Sequence, residues 1–243
     1  MSNHWDIYFS TIEEHFASIV LDMGIWKEVD QRQFSFPMAL RFKIKNPNKS
    51  GIPIDREAEI INDLEDRIIN EINGTGYHVG RVTTNGIRDL FFYFSQDYDL
   101  SSLAGPIFLE HGYDIETFSI NEEEPWGFYF NFLYPNEYEI QHMGNRKVLE
   151  SLRTSGDSLE ESRRVDHWIE FRSDMDKLGF IKKVESLDFK IEQEHQSTDA
   201  ITLRIYRADR VDPQSINDLT DLLVDLVNEF NARYEGWETQ VIK

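Results

Sequence analysis

The chain reads as an α+β protein of two domains, each an antiparallel sheet with helices packed on one face. Three observations predict this. Segments that alternate apolar and polar residues are interleaved with segments whose apolar residues recur every three or four positions. One order of elements (strand, helix, hairpin, helix, strand) runs over residues 37–120 and returns over residues 164–241. A small polar stretch, Thr154, Ser155, Gly156, Asp157 and Ser158, precedes the second run. A chain of 243 residues, 40% hydrophobic and 13% aromatic, can fill two cores.

In the first domain, residues 5–9 read as a strand, residues 16–21 follow it, and residues 22–24 turn the chain. Over residues 37–45, Met38, Leu40, Phe42 and Ile44 alternate with Ala39, Arg41, Lys43 and Lys45, which predicts one buried face and one wet face. Pro47, Gly51 and Pro53 mark a loop. Asp55 is placed as the cap of a helix with the stripe Ile60, Ile61, Leu64, Ile68 and Ile72, stopped by Gly74. Residues 77–84 and 87–94 form a hairpin across Asn85 and Gly86. The aromatic run Phe91, Phe92, Tyr93 and Phe94 suits a central strand. A second helix covers residues 100–111 and ends at Gly112, and further strands are expected at 114–120 and 126–133. This order suits a ferredoxin-like arrangement.

Residues 136–152 predict a helix with Ile140, Met143, Val148, Leu149 and Leu152 on its apolar side and Gly144 interrupting. The domain boundary is expected just beyond it, giving domains 1–155 and 156–243 with residues 155–162 as linker or edge. In the second domain, Val165, His167, Ile169 and Phe171 share one side of a strand, and Asp166, Trp168 and Glu170 the other. Ser173 is placed as the cap of a helix with Met175, Leu178, Ile181, Val184 and Leu187 as its stripe. Gly179 costs that helix ~1 kcal/mol relative to alanine. A strand begins at Phe189, residues 196–199 turn it, and residues 200–208 return with Ile201, Leu203 and Ile205 on one face. Asp212, Pro213, Gln214 and Ser215 open the last helix, with the proline near its first turn. Its apolar stripe is Ile216, Leu219, Leu222, Leu223, Leu226, Val227 and Phe230, and residues 236–241 close the chain as a strand.

Composition narrows the function classes. The sequence has no cysteine, which removes disulfides, thiolate nucleophiles and cysteine zinc sites. Its formal charge is −20, and both halves are acidic. Direct binding of a nucleic-acid backbone is therefore not expected, and a basic protein partner is the better match. No basic leader followed by an apolar run opens the chain, and no window has the ~20 apolar residues of a membrane helix. A cytoplasmic protein with no membrane contact is expected.

The terminal residues Tyr234, Glu235, Gly236, Trp237 and Glu238 are similar to the signature that ends regulators of ribonuclease E activity of the B type (RraB-like). Val165, Asp166, His167 and Trp168 resemble the first strand of that family. The resemblance covers about residues 160–243. The first half resembles the bacterial domain-of-unknown-function family numbered 695, and Asn145, Arg146, Lys147 and Val148, with Gly156 and Asp157, look like the pattern of its fusion to an RraB-like domain. The resemblance implies a ferredoxin-like fold and an inhibitor that binds the scaffold of ribonuclease E without chemistry of its own. The chain departs from stand-alone members by its extra domain, by Glu235 where Asp is commoner, and by Glu238.

No pair among the seven histidines has metal-ligand spacing, and no phosphate loop or serine elbow is present. No cofactor is expected. Asp218, Asp221, Asp225 and Glu229 line one side of the last helix, as a solvated face or as a seat for a basic segment. His167 is either a partner contact or a core histidine that holds the final turn near Trp237, and Trp237 is either an interface anchor or core. Gly236 suits a tight backbone turn. Glu122, Glu123 and Glu124 suit a solvated loop. The leading expectation is a non-catalytic regulator that binds a basic protein, with ribonuclease E or its scaffold as the candidate. The alternatives are an immunity- or antitoxin-like protein that neutralises a basic nuclease, and an enzyme with a site in the first domain, for which a deep pocket lined by Tyr77, His78 and Arg81 would speak. An exposed sheet edge could also pair in a homodimer.

Overall fold

The computed structural model describes residue 2, residues 4–197 and residues 200–243. It divides into two compact units, Met1–Pro135 and Asn136–Lys243.

The first unit opens with a hairpin, β1 (Trp5–Ile12) and β2 (His15–Asp22), turned by Glu13 and Glu14, both at positive φ. Then come β3 (Phe36–Lys43), α1 (Asp55–Glu71), β4 (Gly76–Thr84), β5 (Ile87–Phe94), α2 (Leu100–Leu109) and β6 (Ile115–Ser119). They build a six-stranded sheet in the order β1-β2-β4-β5-β3-β6, antiparallel throughout. The part β4-β5-β3-β6 is the ferredoxin-like arrangement, and the hairpin widens it at β4. Asn85 and Gly86, at φ 49° and 75°, make the tight turn between β4 and β5. Met38, Leu40, Phe42, Leu90, Phe92 and Phe94 meet Ile61, Leu64 and Ile68 of α1 and Leu100, Ala104 and Phe108 of α2 in one core.

Four expectations for this unit change. Asp55 lies inside the first turn of α1, and the N-cap is Ile54, which gives no side-chain bond. The second face of the sheet is not wet, since Pro37 and Ala39 are buried there. Residues 126–133 do not form a strand but pack under that face, ending in a π-helical turn, Tyr129–Leu133. Trp126, Tyr129 and Leu133 are buried at steps of three and four, a helical period that the continuous aromatic run hides. Trp126 stacks on Tyr93 at 4.5 Å, and Phe128 packs on Phe91 at 4.9 Å. Glu122 is not a solvated loop residue: it accepts from the Tyr93 hydroxyl (2.8 Å) and from the backbone N–H of Trp126 and Phe128 (3.0 Å each).

The second unit starts with α3 (Glu137–Thr154). Asn136 caps it by accepting from Glu139 N, while the Glu139 carboxylate accepts from Asn136 N, each at 2.9 Å. Leu149 and Leu152 of α3 belong to the core of this unit. The division therefore falls before α3, at 135/136, rather than at 155/156: apolar burial outweighs the polar stretch that follows the helix. Next come β7 (Arg163–Phe171), α4 (Asp174–Glu185), β8 (Lys190–Gln196), β9 (Ile201–Asp209), α5 (Pro213–Glu229) and β10 (Arg233–Thr239). The sheet order is β10-β7-β9-β8, again ferredoxin-like and antiparallel. The turn expected at residues 196–199 includes Thr198 and Asp199, which lie outside the described residues.

Ser173 caps α4 as expected, accepting from Met175 N and Asp176 N. The buried side of α4 is different from the predicted stripe. It carries Lys177, Phe180 and Val184, while Met175 is 79% and Leu178 56% exposed. Met175 and Leu178 stand roughly half a turn round the helix from Val184 and Phe180. Gly179 has a positive role: a Cβ there would meet the Phe230 ring at 2.7 Å, so the missing side chain admits that ring.

Candidate partner-binding surface

Helix α5 is set up by its first turn. Asp212 accepts from Ser215 N (3.2 Å) and Ser215 Oγ (2.8 Å), and Pro213 occupies the first helical position. Ile216, Leu219, Leu223, Leu226 and Val227 bury one side. Asp218, Asp221, Asp225 and Glu229 line the other at helical spacing.

That acidic stripe is partly occupied by α3, which runs antiparallel beside it. The Tyr138 hydroxyl donates to Asp225 at 2.6 Å, and His142 Nε2 lies 2.7 Å from Asp221. The Asp225 carboxylate raises the Tyr138 hydroxyl above its ordinary pKa, because ionising it would set two anions in contact. Asn228 Nδ2 donates to Glu137 at 2.9 Å. Asp218 and Glu229 remain exposed at the two ends, Asp218 accepting from Gln214 Nε2 at 2.7 Å.

His167 and Trp237 do not stand on the surface. His167 is fully buried, its Nδ1 sharing a 2.8 Å hydrogen bond with the Tyr234 hydroxyl. Burial first, then the Arg207 charge, push its pKa down to about 3. The same burial raises the Tyr234 hydroxyl well above its ordinary value. Trp237 is buried as well, and its Nε1–H donates to Asn145 Oδ1 at 2.6 Å. Asn145 Nδ2 in turn donates to Asn217 Oδ1 (2.9 Å) and Thr220 Oγ1 (2.8 Å). This buried polar junction ties β10, α3 and α5 together, and explains why the closing residues carry an indole. Gly236, at φ 128°, sits at the irregular step in the β10–β7 register, and a Cβ there would touch nothing. Its requirement is the backbone angle rather than crowding.

Sequence reasoning missed the open face of this unit's sheet. Arg164 bonds Asp166 through Nε (2.9 Å) and Nη2 (2.6 Å) and also pairs with Glu192. Arg204 Nε reaches Asp166 at 3.1 Å and Glu192 at 3.2 Å, and its Nη2 lies 3.5 Å from Glu238. The two guanidinium groups lie over Tyr206 and Trp168, at 3.8 and 5.2 Å from the ring centroids. Arg164, Asp166, Glu192, Arg204 and Glu238, together with Arg163, Thr239, Gln240 and Ile242, frame a hollow of about 530 Å³. The signal was present as Arg164 and Asp166 at period two on β7 and as Arg204 on β9. Cross-strand pairing, which no single strand reveals, turns it into a lattice. In the first unit His78 and Arg81 line a groove, whereas Tyr77 packs edge-on against Phe34 at 4.7 Å. Among the described residues no group of three or more His, Asp or Glu side chains could hold a metal ion, and no helix is long and apolar enough to cross a membrane.

Residues 142–239 match the family described as Regulator of ribonuclease activity B, and residues 3–134 match the Family of unknown function (DUF695). No curated protein matches the chain. Among solved structures, a candidate glycine cleavage system transcriptional repressor is 7% identical, covers 84% of this chain and 98% of its own, and has a TM-score of 0.26. An unknown protein from Galdieria sulphuraria is 9% identical, with 86% and 98% coverage and a TM-score of 0.23. Likenesses this weak decide nothing about fold or role. The family matches divide the chain as its two units do, and with more than half of its length matched the protein belongs to the family of unknown function DUF695, followed by a domain that matches Regulator of ribonuclease activity B.

Proposed function

We propose that the protein is a non-catalytic cytoplasmic regulator that acts by binding another protein, a ribonuclease E-type RNA-degradation machinery or its scaffold. The match of residues 142–239 to Regulator of ribonuclease activity B carries this reading. The charge of −20 supports a basic binding segment on the partner rather than RNA itself. The acidic stripe of α5 is the surface of choice, with Asp218, Asp225 and Glu229 as its exposed members. Asp221 and Asp225 also hold α3, so reversing them would disturb the fold together with the surface.

The test is a binding titration of the full chain against ribonuclease E from the same host. The double variant Asp218→Lys, Glu229→Lys leaves the α3 bonds intact. Its affinity should fall about tenfold or more, mainly through a slower association rate and with a weaker dependence on salt. Equal affinity of variant and parent would remove α5 from the interface, and no binding by the parent protein would remove this partner. Capture of a basic nuclease other than ribonuclease E would favour a neutralising, immunity-like role.

A further inference from the structure

Two asparagine–glycine steps stand in the first unit, Asn73–Gly74 between α1 and β4 and Asn85–Gly86 between β4 and β5. An asparagine followed by glycine is open to a reaction that needs only water. The glycine nitrogen attacks the asparagine Cγ, a C–N bond forms and closes a cyclic imide, and the Cγ–Nδ2 bond breaks. The leaving nitrogen takes up the proton shed by the glycine nitrogen and departs as ammonia. Water then opens the imide at either carbonyl and leaves aspartate or isoaspartate. Glycine favours the attack because it has no Cβ to crowd the approach. The step requires a glycine N–H that is free to lose its proton and a backbone that can turn the nitrogen onto Cγ.

The fold treats the two steps differently. Gly86 is buried; its N–H donates to the Gly51 carbonyl at 3.1 Å, and its carbonyl accepts from Ile44 N at 2.8 Å. Gly51 lies so close that a Cβ on it would stand 2.7 Å from both the Asn85 and the Gly86 nitrogen. The neighbouring loop thus holds the nitrogen that would attack. Asn73, Gly74 and Thr75 are all exposed. The Gly74 N–H donates to no acceptor among the described residues, and a Cβ on Gly74 would meet nothing. This turn is held from its flanks, where Asn73 N donates to the Asn70 carbonyl (3.3 Å) and Thr75 N and Gly76 N donate to the Ile72 carbonyl (2.9 and 3.2 Å). We propose that Asn73 is a deamidation site of the folded protein and that the fold shields Asn85 from the same reaction. The product sets a carboxylate one residue beyond Ile72, the C-cap of α1, whose last turn ends in Glu71 and carries no basic residue. An anion is unfavourable at a helix C-terminus, so the modified turn is a weaker join between α1 and β4.

The test incubates the full-length protein at mildly alkaline pH in ¹⁸O-labelled water, folded and in denaturing urea, and follows label uptake by mass spectrometry. Trypsin places Asn73 in the peptide 68–81 and Asn85 in the peptide 82–88, so each step has its own signal. Fragment spectra separate Asn73 from Asn70. In the folded protein Asn85 must wait for local opening, so Asn73 should take up label about tenfold or more faster. In urea the two should react at similar rates. Equal rates in the folded protein would overturn the shielding of Asn85. An Asn73 that stays unlabelled in the folded protein while it reacts in urea would overturn the site. Asn73→Asp makes one product directly and should lower the urea midpoint of unfolding; an unchanged midpoint would overturn the weakening of the turn. None of these results bears on α5 or its partner.

Discussion

His167 shows how one buried side chain writes itself into the behaviour of the whole domain. Its pKa is pushed down to about 3 by burial and by Arg207, against an ordinary value of about 6.5. The unfolded chain therefore binds more protons than the folded one between those pH values, and stability must fall as the pH drops through that window. The largest slope one such group can give is ~1.4 kcal/mol per pH unit. His167→Gln keeps a polar partner for Tyr234 and removes the titration. Amide exchange in β7 and β10, followed from pH 7 to about 4, should show a flatter loss of protection in this variant. An unchanged slope would mean that His167 is not held neutral. Its alternating place on β7 was legible in the sequence. Its lack of an exposed atom was not, because that depends on Phe189 and Tyr234 closing over it from elements distant in sequence.

At the scale of elements, the lesson of α4 is that a stripe of apolar residues does not name the buried side. Met175 and Leu178 look inward by spacing but are exposed, while Lys177 lays its stem along the buried side and spends Nζ on Asp174 (2.8 Å) and Glu194 (2.6 Å). Gly179 reads as a weakness of the helix, and helix propensity alone would make Gly179→Ala stabilising. The approach of Phe230 reverses the sign. The variant should lose about 1 kcal/mol in urea unfolding, and Phe230→Leu in the same chain should recover part of it. A stabilised Gly179→Ala would show that the Phe230 ring swings aside freely. Residues 126–133 make the same point in the other domain. An aromatic run serves a strand and a short helical turn equally well until the sheet face it covers is known.

At the scale of the whole chain, two ferredoxin-like units are each finished by a segment outside the repeated pattern. In the first, residues 121–134 cover the second face of the sheet. In the second, α3 flanks α5, and the end of the chain is pinned by Asp157. That carboxylate pairs with the buried Arg163 guanidinium and accepts from Ile242 N at 2.8 Å, while Arg163 Nη1 donates to the Gln240 carbonyl at 3.2 Å. Arg163 first, with the backbone N–H groups of Ile242 and Leu159, holds the Asp157 carboxyl well below the ordinary carboxylate range. Asp157→Ala leaves the guanidinium buried without its counter-charge. It should cost on the order of 3–5 kcal/mol and release residues 240–243, read out by denaturant unfolding and by faster carboxypeptidase trimming. A variant as stable as the parent would show that the pair contributes nothing net.

The order of strands and helices outside residues 126–133, the hairpin at Asn85 and Gly86, the cap at Ser173 and the apolar side of α5 follow from the sequence alone. They rest on local geometry: two- and 3.6-residue periods, side chains that cap their own helix, and residues that accept positive φ. The resemblance to the two families was equally visible in short runs of residues. Only the tertiary structure decided that α3 belongs to the second unit, that His167 and Trp237 are interior, that Arg164 and Arg204 share a charge lattice, and that His78 is buried between Trp5 and Phe92. Each of these depends on which distant segments meet, and burial and pairing between such segments leave no period in the chain.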